Sequence, residues 1–252
     1  MAQHRILVPL DFTPVSSTAV NHALAVGKAF QSEIHLLHIV AKKDSFSEAR
    51  IRLEAFAAEH LADFEGVVKT TVRIGNLFDD IDDVSVEMDA NLVMMGTHGI
   101  KGMQFITGGR ALKIVRECSV PFIISQSRPI RETGYDDIVV PLDLHQDTKQ
   151  KLAVVAEMAK YFKGRVHIIS PAEEDEFLQN QLRRNVEFAS DYFEERKIEC
   201  TTKISGQAGA SFVKDVIRYA AAIEADLISC LLYTSDAADD TPCVDLGGRR
   251  II

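Results

Sequence analysis

Two stretches of this chain hold residues of the type and spacing that could bind a ligand. The first is Gly96-Thr97-His98-Gly99-Ile100-Lys101-Gly102, with Gly108-Gly109-Arg110 a few residues on. Glycine tolerates positive φ and lets a ligand come close to the backbone. Exposed N–H groups at such a turn and at the start of a following helix suit a phosphate. A tight strand-to-helix turn with no ligand makes the same demand on the backbone, and both readings stand. The second stretch is Asp11, which closes the apolar run Ile6 to Leu10 and opens Phe12-Thr13-Pro14.

Other chemistries find less support. His98 has no nucleophile or paired acid near it in sequence, as a hydrolase would need, and is expected to be a solvent-facing turn histidine. No Gly-Lys-Ser/Thr ending marks a phosphate-binding loop of the nucleoside triphosphatase type. Asp79, Asp80, Asp82 and Asp83 read as a solvated helix face with favourable first-turn charge, not as metal ligands. Cys118, Cys200, Cys230 and Cys243 are widely spaced and read as reduced core thiols.

The elements that must position these residues follow from periodicity. Apolar runs at Ile6 to Leu10, Ile34 to Val40, Asn91 to Met95 and Val120 to Ser125 suit buried strands. Val68 to Ile74 alternates more and is expected nearer an edge. Helical patterns fall between them: Ser16 or Ser17 to Gln31, Ser47 to Phe64, Leu77 to Met88 and Gly109 to Glu117. Ser16 or Ser17 is the expected helix cap. Strands alternating with helices predict a doubly wound parallel sheet. Ligands of such sheets bind beyond the C-terminal strand ends, near a reversal of strand order. Asp11, Val40 and Gly96 all fall at strand ends on that side.

The pattern then repeats. Ile138-Val139-Val140-Pro141-Leu142-Asp143 follows Ile6-Leu7-Val8-Pro9-Leu10-Asp11 at a spacing of 132 residues, and Val166-His167-Ile168-Ile169 follows Ile34-His35-Leu36-Leu37 at the same spacing. Duplication is the simplest account. The expected organisation is a first domain over 1–128, a linker over 129–134, and a second, incomplete domain over 135–230. Residues 231–252 read as a foreign tail, resembling translated adapter sequence. They offer no glycine cradle, apolar helix face or fifth strand. The second domain is therefore not expected to hold a nucleotide as written.

Composition sets outer limits. The chain has 252 residues, 46% hydrophobic and 26% charged, with a net charge of -9. This is globular composition, and no basic run offers a nucleic-acid surface. No apolar run reaches the length of a membrane span. Met1 to Arg5 passes straight into a strand-like run without a signal-peptide core, so the expected location is cytoplasmic.

The Val8-Pro9-Leu10-Asp11-Phe12 opening, the doubled domain, and Gly96-x-x-Gly99 with Gly109 beyond it together resemble the universal stress protein family. Gly99-Ile100-Lys101-Gly102-Met103-Gln104 is similar to tandem members of the Bacteroidetes type. The resemblance implies two tandem Rossmann-like domains of the adenine nucleotide alpha hydrolase-like class, and a regulatory, non-enzymatic stress-response role. In its ATP-binding members it implies that Asp11 contacts the adenosine portion and Val40 meets the base through its backbone. Met95 and Gly96 would line the strand end, and Gly99 and Gly109 would open backbone N–H groups to phosphate. Arg110 stands where the family carries a Ser or Thr; its guanidinium could pair with phosphate instead. Lys101 and Gly102 neighbour that cradle. ATP is the implied cofactor, with Mg2+ only alongside it. Domain pairing within the chain or in a homodimer is the implied assembly. The alternative is a member that binds no nucleotide and acts as a structural or interaction module.

Overall fold

The computed structural model describes residues 4–97, 115, 118, 120–144, 151–207 and 210–230. The chain divides into two compact units between Ile130 and Arg131. The first contains β1 (Arg5–Pro9), α1 (Pro14–Phe30), β2 (Glu33–Val40), α2 (Phe46–His60), β3 (Val68–Ile74), α3 (Leu77–Glu87), β4 (Leu92–Gly96) and β5 (Phe122–Ser125). The second contains β6 (Asp137–Pro141), α4 (Lys151–Phe162), β7 (Arg165–Ser170), α5 (Glu176–Glu194), β8 (Cys200–Ile204), α6 (Ala210–Ala222) and β9 (Leu227–Ile228).

Both sheets are parallel throughout the described residues. The first runs in the order β3-β2-β1-β4-β5 and the second in the order β8-β7-β6-β9. The central strands are apolar because helices cover both faces: Leu7, Val8, Ile34, Leu36, Leu37 and Val93 are fully buried. β3, the strand whose sequence alternates, is an edge strand. α1 turns Val15, Ala19, Ala23 and Val26 to the sheet at helical spacing, and each such valine, fully buried, contributes roughly 1.5 kcal/mol or more.

The repeat is visible in the register. Arg5 pairs with Glu33 and Pro9 with Leu37, while Asp137 pairs with Arg165 and Pro141 with Ile169. α1 ends at Phe30 and α4 at Phe162, each followed by a left-handed residue, Gln31 and Lys163. Both pairs of helix ends keep the 132-residue spacing of the strands.

Several boundaries differ from the sequence expectation. α2 ends at His60 rather than Phe64, because Leu61 leaves the helical region. α1 begins at Pro14, two to three residues before the expected serines, since proline at the first position needs no N–H partner. α5 is capped by Asp175, whose carboxylate accepts from Leu178 N–H. The described cysteines are not core thiols: Cys118 and Cys200 are half-buried and Cys230 is exposed, while Cys243 lies outside the described residues. Burial raises the Cys118 thiol, and raises Cys200 to about 11. The expected helix over 109–117 lies almost wholly outside the described residues, as does the tail 231–252.

Candidate functional site

The strand order of the first sheet reverses at β1. From there the chain moves outward through β2 and β3, then returns to add β4 and β5 on the other side. In sheets of this order ligands bind beyond the C-terminal ends of the strands that flank the reversal, here β1 and β4. Ile6 pairs with Leu92 and Leu7 with Val93, so Gly96 arrives level with Leu10 and one residue short of Asp11. On the other side Pro9 pairs with Leu37, which brings Val40 level with Phe12. The topology therefore gathers Asp11, Val40, Met95 and Gly96 along one rim.

Asp11 is exposed and organises the turn into α1. Its Oδ1 accepts from Thr13 N–H (3.1 Å), Thr13 Oγ1 (2.5 Å) and Ser16 Oγ (2.7 Å). Its own N–H donates to Ser16 Oγ (3.1 Å). The helix cap is thus Thr13 in an extended conformation, with no capping bond from its side chain, because that hydroxyl is committed to Asp11. Ser16, an expected cap, is buried and serves Asp11 instead.

Phe12, which sequence reasoning passed over, carries the strain of this turn. Its φ is +62°, a left-handed conformation costly for a bulky residue. Packing fixes it there. Its ring lies 4.5 Å from His38 and 5.7 Å edge-on from Phe56, with the Arg52 guanidinium 4.2 Å above it. His38 Nδ1–H donates to the Leu10 carbonyl (2.8 Å), tying β2 to the end of β1. Nothing in the local sequence signals a left-handed phenylalanine; only its three neighbours impose it.

Gly96 is required by close approach. A Cβ there would lie 2.2 Å from the Val15 carbonyl oxygen and 3.1 Å from Ser16 N. The first turn of α1 therefore seats directly on the end of β4. Met95 is 2% exposed and belongs to the core, paired with Ile124 of β5. The Val40 carbonyl accepts from Gly75 N–H (2.9 Å). Gly99, Lys101, Gly102, Gly109 and Arg110 lie outside the described residues, as does His98. The acidic face of α3 is engaged by Arg73, which pairs with Asp80 (2.8 Å) and Glu87 (2.9 Å). No group of three or more His, Cys, Asp or Glu placed to hold a metal occurs among the described residues. No described helix is long and apolar enough to cross a membrane.

The corresponding rim of the second unit is built differently. At the α4 position matching Ala19 stands Lys151, buried, with its ammonium donating to the Pro141 carbonyl at the end of β6. Burial lowers its pKa, while Cys230 and Asp143 act in the opposite direction. Asn185 of α5 is also buried and donates to the Asp143 carbonyl (3.2 Å). The position held by buried Ala19 in the first unit is thus held by a buried lysine in the second.

Residues 3–126 match the Universal stress protein family. Universal stress protein G of Salmonella typhimurium is 25% identical over 138 residues, covering 47% of this chain and 96% of that protein. Among solved structures, a universal stress protein from Archaeoglobus fulgidus superposes with a TM-score of 0.71 at 16% identity, covering 90% of this chain and 86% of that one. A putative universal stress protein from Pseudomonas aeruginosa gives 0.62 at 18% identity, covering 90% and 81%. The fold is that of a universal stress protein, with two tandem Rossmann-like units.

Proposed function

We propose that the first unit is a regulatory universal stress protein domain that binds ATP or a related adenine nucleotide at the rim of β1, β2 and β4. The observation that carries this reading is the meeting of the Asp11 turn and Gly96 at the strand-order reversal. A carboxylate there can accept from ribose hydroxyls, as its bonds from Thr13 and Ser16 demonstrate its capacity as an acceptor. The Val40 backbone stands one residue further along the neighbouring strand, level with Phe12, for the base. The strained Phe12 holds the turn rigid before any ligand arrives, which reduces the entropy lost on binding.

In the same reading Gly99, Gly109 and Arg110 supply phosphate contacts, Lys101 and Gly102 neighbour them, and Mg2+ accompanies ATP. Binding biases a conformation or an interface by differential affinity and is not a step in turnover. Paired domains, within the chain or between chains, and a cytoplasmic location belong to this reading too. So does membership of the tandem branch that the Gly99 to Gln104 stretch resembles.

A second reading has its own support. The missing Cβ at Gly96 is used by packing against Val15, and Asp11 Oδ1 structures the turn. A module that binds partners without nucleotide would have the same features. Calorimetric titration of ATP into the full chain, and into Asp11→Ala, separates the two. Micromolar binding weakened tenfold or more by the substitution supports the first. A folded wild-type chain that takes up no heat at millimolar ATP leaves the interaction module.

A further inference from the structure

One buried polar atom at this rim is unexplained by the fold. Ser125, the last residue of β5, is 2% exposed, and its Oγ has no hydrogen-bond partner among the described residues. Its backbone is well anchored, with its carbonyl accepting from Thr97 N–H (2.8 Å). The hydroxyl alone is left over. Desolvating a hydroxyl without a partner is costly, and alanine would avoid that cost. A retained orphan of this kind calls for an explanation.

Its position supplies one. Ser125 pairs in register with Gly96. Residues opposite each other on parallel strands share a face of the sheet, and the Cβ direction of Gly96 runs toward Val15 and Ser16. Ser125 therefore lies on the α1 side, next to the notch at Gly96. Four strand ends then stand in a row: Val40 on β2, Asp11 on β1, Gly96 on β4 and Ser125 on β5. Adjacent strands are about 4.8 Å apart, so Ser125 is about 9–10 Å along the rim from Asp11. That is on the scale of the reach from a ribose to the phosphates of a nucleotide. The Asp11 carboxylate repels phosphate from its own end of the row. The neutral hydroxyl donor stands at the other end.

Resting on the nucleotide reading above, we infer that Ser125 Oγ is a further ligand contact, donating to a phosphate oxygen of the bound nucleotide. It sets the direction in which the ligand lies, with the base toward β2 and the phosphates toward β5. A hydroxyl bonded to a charged oxygen contributes more than a neutral pair, enough for about a tenfold effect on affinity.

The test is titration of ATP, and separately of adenosine, into the full-length wild type and Ser125→Ala, with thermal unfolding of both unliganded proteins. The expected result has three parts. ATP binds about tenfold more weakly to the variant. Adenosine binding is unchanged within twofold. The unliganded variant melts no lower than wild type, and by relief of the orphan hydroxyl about 3 °C higher. A change in ATP affinity below twofold overturns the assignment and leaves the nucleotide reading standing. Equal weakening of ATP and adenosine overturns it as well, since the hydroxyl would not be meeting phosphate. A wild type that binds neither ligand removes both readings together.

Discussion

Replacing Gly96 by alanine tests whether α1 is seated on β4 as closely as the geometry requires. The new methyl group would stand 2.2 Å from Val15 O and 2.6 Å from Val15 C. Both obstacles are backbone, so no rotamer change relieves the contact. The first turn of α1 must retreat by at least about 0.8 Å to reach 3.0 Å, the shortest separation real Cβ atoms show. That turn is held on its other side by the Ser16–Asp11 bonds, and it buries Val15 and Ser16. Overpacking of a well-packed site costs about 1–3 kcal/mol, and a purely backbone obstacle belongs at the upper end, near 3 kcal/mol. With a urea slope of about 1.5 kcal/mol/M, the midpoint of the first unit falls by about 2 M. All five tyrosines follow residue 134 and the chain has no tryptophan, so tyrosine fluorescence identifies the transition of the second unit. Far-UV circular dichroism then gives the remaining one. Gly206→Ala is the control, since an added Cβ there meets nothing within 4 Å. It should change stability by less than 1 kcal/mol. A Gly96→Ala midpoint within experimental error of wild type would show that α1 is not seated on β4 in this way.

Two predictions concern pH. Burial depresses the pKa of His22, outweighing the N–H bond to the Arg128 carbonyl (3.2 Å). The unfolded chain then binds more protons than the folded one as pH drops below about 6.5. Stability of the first unit should decline from neutral pH through that range, and His22→Gln should flatten the slope; an unchanged slope in urea titrations at pH 5–7.5 would refute the assignment. Burial opposes the charge on Asp137, but hydrogen bonds from His167 (2.7 Å) and Arg165 (3.0 and 3.1 Å) outweigh it, holding its carboxyl below the ordinary range. Its contribution is present above about pH 3.8 and lost as pH falls through the lower folded value. Asp137→Asn should therefore destabilise the second unit at pH 6, and its effect should shrink as pH falls below about 3.8, as read by fluorescence-monitored unfolding.

Much of the fold was legible because its determinants are periodic. Short, mostly apolar runs such as Ile6 to Leu10 and Ile34 to Val40, alternating with helical patterns, suit strands covered on both faces, and the 132-residue spacing exposed the duplication. The alternating Val68 to Ile74 run correctly pointed to an edge. What failed was local capping. Ser16 has the right chemistry for a cap, but Asp11, five residues away, recruits its hydroxyl, and the helix starts earlier at Pro14. In the site, Asp11 and Gly96 could be nominated from sequence. Phe12 and Ser125 could not, because neither has a local signature.

The sequence by itself determined the class of sheet and the doubling of the unit, and it put Asp11, Val40 and Gly96 at strand ends on one side. These depend on hydrophobic period and glycine placement, which each segment carries alone. Tertiary structure decided that Gly96 is a seat for α1, that Phe12 is held left-handed between His38, Phe56 and Arg52, and that Lys151 fills the position matched by Ala19. It also decided that the Ser125 hydroxyl is left unpaired. Such outcomes depend on which side chains meet across a packed interface, and neighbours contributed by distant segments set them.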